Sequence, residues 1–157
     1  MSENTEPVQE PENPIPGPSS VINTQYLKDL SFESPNSPQI FLEMKNPPEV
    51  SINIDVKALK IENNTFIVTL ITNAEAKYKG KTAFICECEY SAITTVNAQP
   101  EQIEQVLLVE VPKFLFPFAM QVISDTVRSG GFSPLLMGPI DFLALYHEKK
   151  KANSNIQ

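Results

Sequence analysis

The residues with the most reactive side chains are two cysteines that lie two positions apart in one segment. Cys86 and Cys88 fall in the run TAFICECEY, whose alternating pattern predicts a β-strand. Residues two apart on a strand point to the same face, but they are held too far apart for relaxed disulfide geometry. A zinc site needs four ligands, and His147 is the only other soft candidate. The spacing therefore predicts two buried free thiols, with no metal site and no cofactor.

Acid–base chemistry would fall to a pair of glutamates beside these thiols. Glu87 and Glu89 alternate with the cysteines on the same strand, so both point to one face of a sheet. His147 lies in a predicted terminal helix ahead of three lysines, where a solvated side chain is expected. The chain contains five glycines and neither a G-x-S-x-G motif nor a glycine-rich phosphate loop. These features indicate a shallow acidic binding patch and predict that the protein is not an enzyme.

The overall charge narrows the range of partners. The 157 residues carry a formal charge of −7 and have a pI near 4.7. An acidic protein repels a phosphate backbone, so no nucleic acid partner is expected. No run of about 18 apolar residues occurs, and the first residues lack the features of a signal peptide. We therefore expect a cytoplasmic protein with one domain and no direct membrane insertion.

Composition divides the chain into a central folded part and two tails. Residues 1–24 hold five prolines, four glutamates and no basic residue, which predicts a disordered and solvated tail. Residues 149–157 begin with three lysines and continue as a short basic and polar tail, suited to follow the negative end of a helix. Residues 25–148 are the predicted domain.

Four segments alternate between apolar and polar residues with the period of a β-strand. They are residues 25–33, 49–57, 65–72 and 82–96. The predicted faces are Tyr26, Lys28, Leu30 and Phe32 against Leu27, Asp29, Ser31 and Glu33 in the first segment, Val50, Ile52, Ile54 and Val56 in the second, and Ile85, Glu87 and Glu89 in the fourth. The linkers between the second, third and fourth segments are short, which favours antiparallel neighbours.

The last third of the chain has the period of helices. Residues 112–131 give the strongest helix prediction, with Gly130 and Gly131 as the stop signal, and a short helix is predicted over residues 140–150. Residues 100–111 suit either a helix or a strand. Strands followed by helices predict an α+β fold, with a four-stranded antiparallel sheet and the C-terminal helices on one of its faces.

The apolar segments together offer more hydrophobic surface than one small core needs. They include the second and third strand segments, FLFPF at residues 114–118 and FSPLLMGP at residues 132–139. Any one of these residues is ordinary core material. The whole set predicts self-association together with an exposed apolar groove.

Five motifs resemble, in order and spacing, the SecB family of bacterial protein-export chaperones. They are YLKDLSFESPNSP (26–38), PPEVSINID (47–55), TAFICECEY (82–90), VPKFLFPFA (111–119) and GGFSPLLMGPIDFLALY (130–146). The resemblance covers roughly residues 25–147, and the motifs are highly specific when they occur together. The proline-rich N-terminal tail and the lysine-rich C-terminal tail depart from the family pattern.

The resemblance implies an ATP-independent holdase in the bacterial cytoplasm. Such a chaperone binds unfolded precursor proteins in an apolar groove, keeps them export-competent and delivers them to SecA, the ATPase of the Sec translocase. The resemblance also implies a homotetramer built as a dimer of dimers. The SecA-binding residues carried over from the family are Asp29, Glu33, Ile85 and Glu87. The residues expected to line the client groove are Phe32, Phe41, Val50, Ile52, Ile54 and Phe142.

Two further interpretations stay open at this point. A small-molecule-binding protein or an enzyme using a sheet–helix cleft would have a deep enclosed pocket and one saturable ligand. A chaperone dedicated to one client or to a toxin–antitoxin pair is a variant of the holdase. Affinity for many unfolded chains, and for none of the same chains once folded, distinguishes the general holdase from the small-molecule binder.

Overall fold

Four long strands form one antiparallel sheet, and the helices follow them in the chain. The computed structural model describes residues 17–154. The strands are β1 (Ser19–Glu33), β2 (Glu49–Glu62), β3 (Thr65–Tyr78) and β4 (Lys81–Asn97). The helices are α1 (Gln39–Glu43), α2 (Pro100–Gln105), α3 (Val111–Ser129) and α4 (Phe142–Ser154), with a π-helical segment at Val106–Glu110. The predicted α+β class is confirmed.

The strand order β1-β4-β3-β2 places β1 and β2 on the two edges of the sheet. Two tight hairpins join β2, β3 and β4, as the short linkers predict. The second hairpin turns at Lys79 and Gly80, whose φ angles of 49° and 79° suit the twist of the flanking strands. The chain reaches β2 from β1 through α1, a five-residue helix that sequence analysis does not predict.

The tail boundary predicted at residue 24 is wrong, because β1 begins at Ser19. Residues 19–24 pair with the C-terminal end of β4, from Ser19 opposite Asn97 to Thr24 opposite Ile93. Backbone pairing with a long neighbouring strand therefore orders a segment that has few apolar side chains. The rest of the predicted tail, residues 1–16, lies outside the described residues.

The faces predicted for the first half of β1 are also wrong. A bulge between Leu27 and Asp29 shifts the register by one residue, so that Leu27 lies opposite Tyr90 and Asp29 lies opposite Glu89. Leu27 therefore shares a face with Leu30 instead of opposing it. Tyr26 moves to the other face of the sheet. Beyond the bulge the predicted alternation holds.

The hydrophobic core lies between one face of the sheet and helix α3. We call this the helix face and its opposite the outer face. Alternating residues of β3 and β4 on the helix face are buried, and so are Leu115, Ile123 and Val127 of α3. The row Val50, Ile52, Ile54 and Val56 of β2 shares one face as predicted, and that face is the helix face, with Val56 buried.

Residues 100–129 form one continuous helical run with a local change of pitch, which decides the open choice for residues 100–111 in favour of a helix. The π-helical segment Val106–Glu110 ends where the Val111 N–H donates to the carbonyl oxygen of Val106. Pro112 follows at once, and since proline has no N–H and its ring crowds the preceding turn, a widened turn accommodates it.

By length and composition the run Pro100–Ser129 could span a membrane. In this fold 56% of its most apolar window is buried inside the protein. Its apolar side chains are therefore largely accounted for by packing against the sheet, as in the core helix of a soluble domain.

Helix α4 closes the described chain and packs near the β2 edge. The carboxylate of Asp141 accepts a hydrogen bond from the Ala144 N–H at 3.0 Å, which stabilises the start of the helix. The boundary predicted at residue 148 is wrong, because α4 continues to Ser154 and includes the three lysines. Lys149 donates to the Asp55 carboxylate on β2, and Lys150 lies 3.8 Å from Glu104. These contacts favour helix over tail.

Candidate functional site

The four residues carried over for SecA binding lie together on the outer face. Glu33 pairs with Ile85 across β1 and β4, and Asp29 and Glu87 lie on the same face in the neighbouring rows of this strand pair. Directly opposed residues of this kind have Cβ atoms about 4.5–5.5 Å apart. Asp29, Glu33 and Glu87 are exposed, while Ile85 is half-buried. The structure thus brings these four residues onto one surface.

Two further carboxylates complete this surface: Glu89, which strand alternation already placed on the same face as Glu87, and Glu75, which the sequence did not assign to it. Glu89 lies opposite Asp29, and Glu75 of β3 lies opposite Ile85. Glu75 was missed because the predicted third strand ended at residue 72, whereas β3 runs to Tyr78. We call this surface the acidic half of the outer face: Asp29, Glu33, Glu75, Ile85, Glu87 and Glu89.

Few cations balance the acidic half. Glu75 lies 3.7 Å from Lys77, and none of the ion pairs within residues 17–154 involves Asp29, Glu33 or Glu87. Carboxylates that have no ion-pair partner among residues 17–154 produce a negative potential over the sheet. An apolar side chain, Ile85, lies among them. The surface suits a basic partner that also makes one hydrophobic contact.

Four phenylalanines form a cluster at one end of the helix face. The Phe84 ring centroid lies 5.9 Å from that of Phe32 and 4.9 Å from that of Phe132, and Phe41 lies 4.9 Å from Phe132. Phe84 and Phe132 are buried, whereas 41% of Phe41 is exposed. The cluster therefore runs from the core to the surface.

The two glycines that end α3 also make room for this cluster. A Cβ atom at Gly130 would lie 2.2 Å from Cζ of Phe32, and one at Gly131 would lie 3.1 Å from Cε1 of Phe41. Gly131 has a φ of +92°, and the N–H of Phe132 bonds the carbonyl oxygen of Val127 at 3.2 Å, as in a Schellman motif. The helix stop at these glycines was predicted correctly, whereas the space that they leave for the Phe32 and Phe41 rings was not.

An open groove of about 390 Å³ lies beside the cluster. Its lining includes Met44, Pro47, Pro48, Val50, Phe84, Phe132, Pro134 and Leu135. Val50 is 40% exposed, and Ile52 and Ile54 continue the same face of β2 as half-buried side chains. Of the six residues expected to line a groove, Val50 lines this one, Phe32 and Phe41 belong to the adjoining aromatic cluster, and Ile52 and Ile54 extend the same apolar region along β2.

Phe142 does not belong to that region. It is 3% exposed and packs edge-on against Phe116 with the ring centroids 5.9 Å apart. The expectation that Phe142 lines an accessible groove is therefore corrected, because the side chain anchors the start of α4 in the core. The apolar motif around Phe142 is equally compatible with a core side chain and with a groove side chain, so the sequence did not distinguish the two.

The two cysteines are buried and free, as predicted. Burial raises the pKa of the Cys86 thiol, and it raises the pKa of Cys88 to about 11, with the nearby Cys86, Glu89 and Asp29 adding to the effect. Both groups are therefore neutral thiols near pH 7 and poor nucleophiles. His147 is exposed on α4. Residues 17–154 contain no group of three histidine, cysteine or acidic side chains arranged to hold a metal.

An open acidic surface on one face of a sheet and an open apolar groove on the other are features of a protein that binds polypeptides. Comparison with known proteins agrees. Residues 15–153 match the family model described as preprotein translocase subunit SecB. The chain belongs to the SecB family, whose members are protein-export chaperones and not enzymes.

Individual relatives give the same result. The protein-export protein SecB of Rhodospirillum rubrum is 49% identical over 132 residues, which cover 84% of this chain and 82% of the relative. The protein of the same name from Granulibacter bethesdensis is 44% identical over 146 residues, covering 87% of this chain and 85% of the relative.

A solved structure supports the fold. The SecB-like chaperone of Mycobacterium tuberculosis, determined in complex with a peptide from an antitoxin, aligns with a TM-score of 0.62. The alignment covers 77% of this chain and 87% of that one, at 11% sequence identity. At that identity the likeness shows the fold alone.

Proposed function

We propose that this chain is an ATP-independent holdase that binds unfolded precursor proteins and hands them to SecA in the bacterial cytoplasm. The observation that carries the proposal is the separation of two open surfaces on opposite faces of one sheet. The acidic half suits a basic docking partner, while the aromatic cluster and its groove suit apolar side chains of an unfolded chain. One protein can then hold a client and a translocase component at the same time.

The client groove comprises Phe32, Phe41, Val50, Ile52 and Ile54. Apolar contacts contribute roughly 25 cal/mol per Å² removed from water, so a shallow groove binds any one client segment weakly. Several such grooves in one oligomer multiply the affinity for a single long chain without requiring a sequence code. A folded protein hides its apolar segments and would not bind.

SecA docks on the acidic half in this proposal, through Asp29, Glu33, Ile85 and Glu87. Glu75 and Glu89 extend the same negative surface across β3 and β4. Opposite charges accelerate the encounter of the two proteins, and the apolar contact at Ile85 adds to the lifetime of the complex.

Assembly into a homotetramer, as a dimer of dimers, is supported by two exposed features. The edge strand β1 has 15 residues, and a long open edge can pair with another copy. Next to it, Leu27 is 42%, Phe114 51% and Phe118 43% exposed on the helix side of the molecule. A second copy that covered these side chains would bury a contiguous apolar surface.

Light scattering with and without an unfolded, slowly refolding client tests the proposal. We expect a mass near that of four chains, which rises when unfolded client is added and does not change when the same client is added folded. A protein of monomer mass that ignores unfolded chains would contradict both the assembly and the holdase.

A further inference from the structure

The outer face has a second region that the acidic half does not include. Beyond Tyr26, the cross-strand row Ile93, Ile67 and Leu59 spans β4, β3 and β2 in direct register. Leu59 is 66% exposed, and Val21 of β1, on the same face, is 57% exposed. We call this surface the apolar half of the outer face: Val21, Tyr26, Leu59, Ile67 and Ile93.

A groove of about 440 Å³ lies where the apolar half meets two lysines. Tyr26, Lys28, Lys57, Leu59, Ile67 and Ile71 are among its lining residues, and Glu89 of the acidic half borders it. Thr69, a small buried side chain, lines its floor and shares a hydrogen bond of 2.8 Å with the buried Ser91, the residue opposite it on β4. Large side chains on both sides of a small-residue floor form a channel across the strands.

The helices of residues 17–154 pack on the other face, so this channel has no cover from them. The chain itself enters the fold beside it. Strand β1 begins at Ser19, two residues before Val21, so the preceding residues leave from the end of the sheet that carries the apolar half.

The residues that precede β1 are complementary to the channel in charge and in chemistry. Residues 1–16 contain four glutamates, no lysine or arginine, four prolines, and the aliphatic Val8 and Ile15. Lys28 and Lys57 in the channel would meet the carboxylates, while proline and aliphatic side chains suit a surface with Tyr26, Leu59 and Ile67. The groove on the helix side of the same sheet end is a poorer match, because its lining holds Glu101 and Glu110 and no cation, whereas the channel holds two lysines against one carboxylate, Glu89.

The segment is also long enough. A proline-rich chain extends about 3.1 Å per residue, so 16 residues reach about 50 Å. The path from Val21 along β1 to Tyr26 is about 17 Å, and crossing to β2 adds about 14 Å. We propose that residues 1–16 dock along the apolar half of the outer face of their own subunit, with their glutamates at Lys28 and Lys57.

Photo-cross-linking in the full-length protein tests this proposal. A benzophenone amino acid replaces Leu59, whose side chain is 66% exposed, and mass spectrometry identifies the cross-linked peptides. We expect products that join position 59 to residues 1–16 of the same chain, as shown by mixing isotopically light and heavy protein. The control places the same probe at Ser51, which is exposed on the outer face of β2 opposite Glu75 of the acidic half. It should give none of these products.

Charge variants at Lys57 test whether this lysine attracts the glutamates of residues 1–16. Lys57→Glu, and the milder Lys57→Gln in case the reversal disturbs folding, should lower the yield of the product about two- to fivefold, as expected for loss of an exposed charge pair. Lys60→Glu is the matched control, since Lys60 is exposed on the same strand but lies opposite Phe66 on the helix face.

Three results would overturn the proposal. Position 59 could give no cross-link, or it could join residues 17–154 of another copy, which would make the apolar half a contact between subunits. It could also cross-link only when unfolded client is added, which would make it a client site.

Discussion

The two faces of the sheet differ in what fixes their side chains. On the helix face, α3 and the Gly130-Gly131 turn hold the aromatic cluster, and only its rim reaches solvent. On the outer face, the acidic half has no cover from residues 17–154, and its side chains are held mainly by the pleat of the strands. The helix face should therefore respond to changes in volume, whereas the outer face should respond to changes in charge.

The largest effect is expected from a single added carbon on the helix face. In Gly130→Ala the new Cβ would lie 2.2 Å from the Phe32 ring, so either the ring or the turn must move. Overpacking of this kind costs about 1–3 kcal/mol. Urea unfolding should show this loss, and client holding should fall because the displaced Phe32 leaves the groove.

Gly138→Ala is the matched control for that variant. Gly138 lies in the loop before α4 with no atom within 4 Å of the added Cβ, so we expect a change within about 0.5 kcal/mol. Equal stability of the two variants would mean that the Phe32 ring does not depend on the space left by the absent side chain of Gly130.

A charge reversal on the outer face should have a smaller and different effect. Glu87→Lys places a cation among the carboxylates of the acidic half and should weaken SecA binding about tenfold, which is about 1.4 kcal/mol. Oligomer mass and client holding should be nearly unchanged, because Glu87 is exposed and lies on the face opposite the groove. Isothermal titration calorimetry with SecA measures the change in affinity.

Glu101→Lys serves as its control. Glu101 is also exposed but lies on α2, away from the acidic half, so Glu101→Lys should leave SecA affinity within about twofold. If client holding is lost together with SecA binding in Glu87→Lys, the two faces do not act separately.

The parts of the fold that sequence predicted best are those with uninterrupted alternation. Strands β2 and β4 alternate without a bulge through residues 49–57 and 84–95 of the predicted segments. Their faces, including the one that Ile85 shares with Glu87, were therefore predicted correctly. In β1 the bulge before Asp29 reverses the alternation, and no glycine or proline in LKD marks it. Helix α1, with five residues, is too short to show a helical period.

The candidate site was predicted in the same uneven way. Family resemblance located Asp29, Glu33, Ile85 and Glu87, and strand alternation placed them on one side of their strands. Glu75 depended on the length of β3, which is set by pairing with β4 and not by local pattern. Core and groove phenylalanines have the same sequence signal, so only the packing against Phe116 separates Phe142 from Phe41.

A polar substitution in the groove sharpens the comparison between the faces. Val50→Asp puts a charge on an apolar surface that is already 40% exposed, so folding should be little affected. Each client segment would lose an apolar contact of about 1 kcal/mol, which predicts about fivefold weaker client binding. Val21→Asp, at a more exposed valine on the outer face, is the control and should leave client binding unchanged. Equal losses would place client contacts on both faces.

The smallest expected effect concerns the ion pair at the β2 edge. Burial alone would raise the pKa of Asp55, but the hydrogen bond from Lys149, the Val56 N–H and the charges of Lys149 and Lys57 together lower it. A carboxyl whose pKa is lowered in the folded state adds stability above its unfolded pKa of about 3.9 and loses it as pH falls through the folded value. The pair is partly exposed, so we expect about 0.5 kcal/mol at pH 7.

Asp55→Asn should therefore reduce the free energy of unfolding at pH 7 by about that amount, and the difference from the parent protein should shrink towards zero near pH 3. Chemical denaturation at the two pH values measures it. Glu62→Gln, at the exposed end of β2 and in none of the ion pairs within residues 17–154, should show no such dependence. A difference for Asp55→Asn that persists at low pH would assign the contact to hydrogen bonding and packing of α4 against β2, because a protonated Asp55 carries no charge for Lys149 to stabilise.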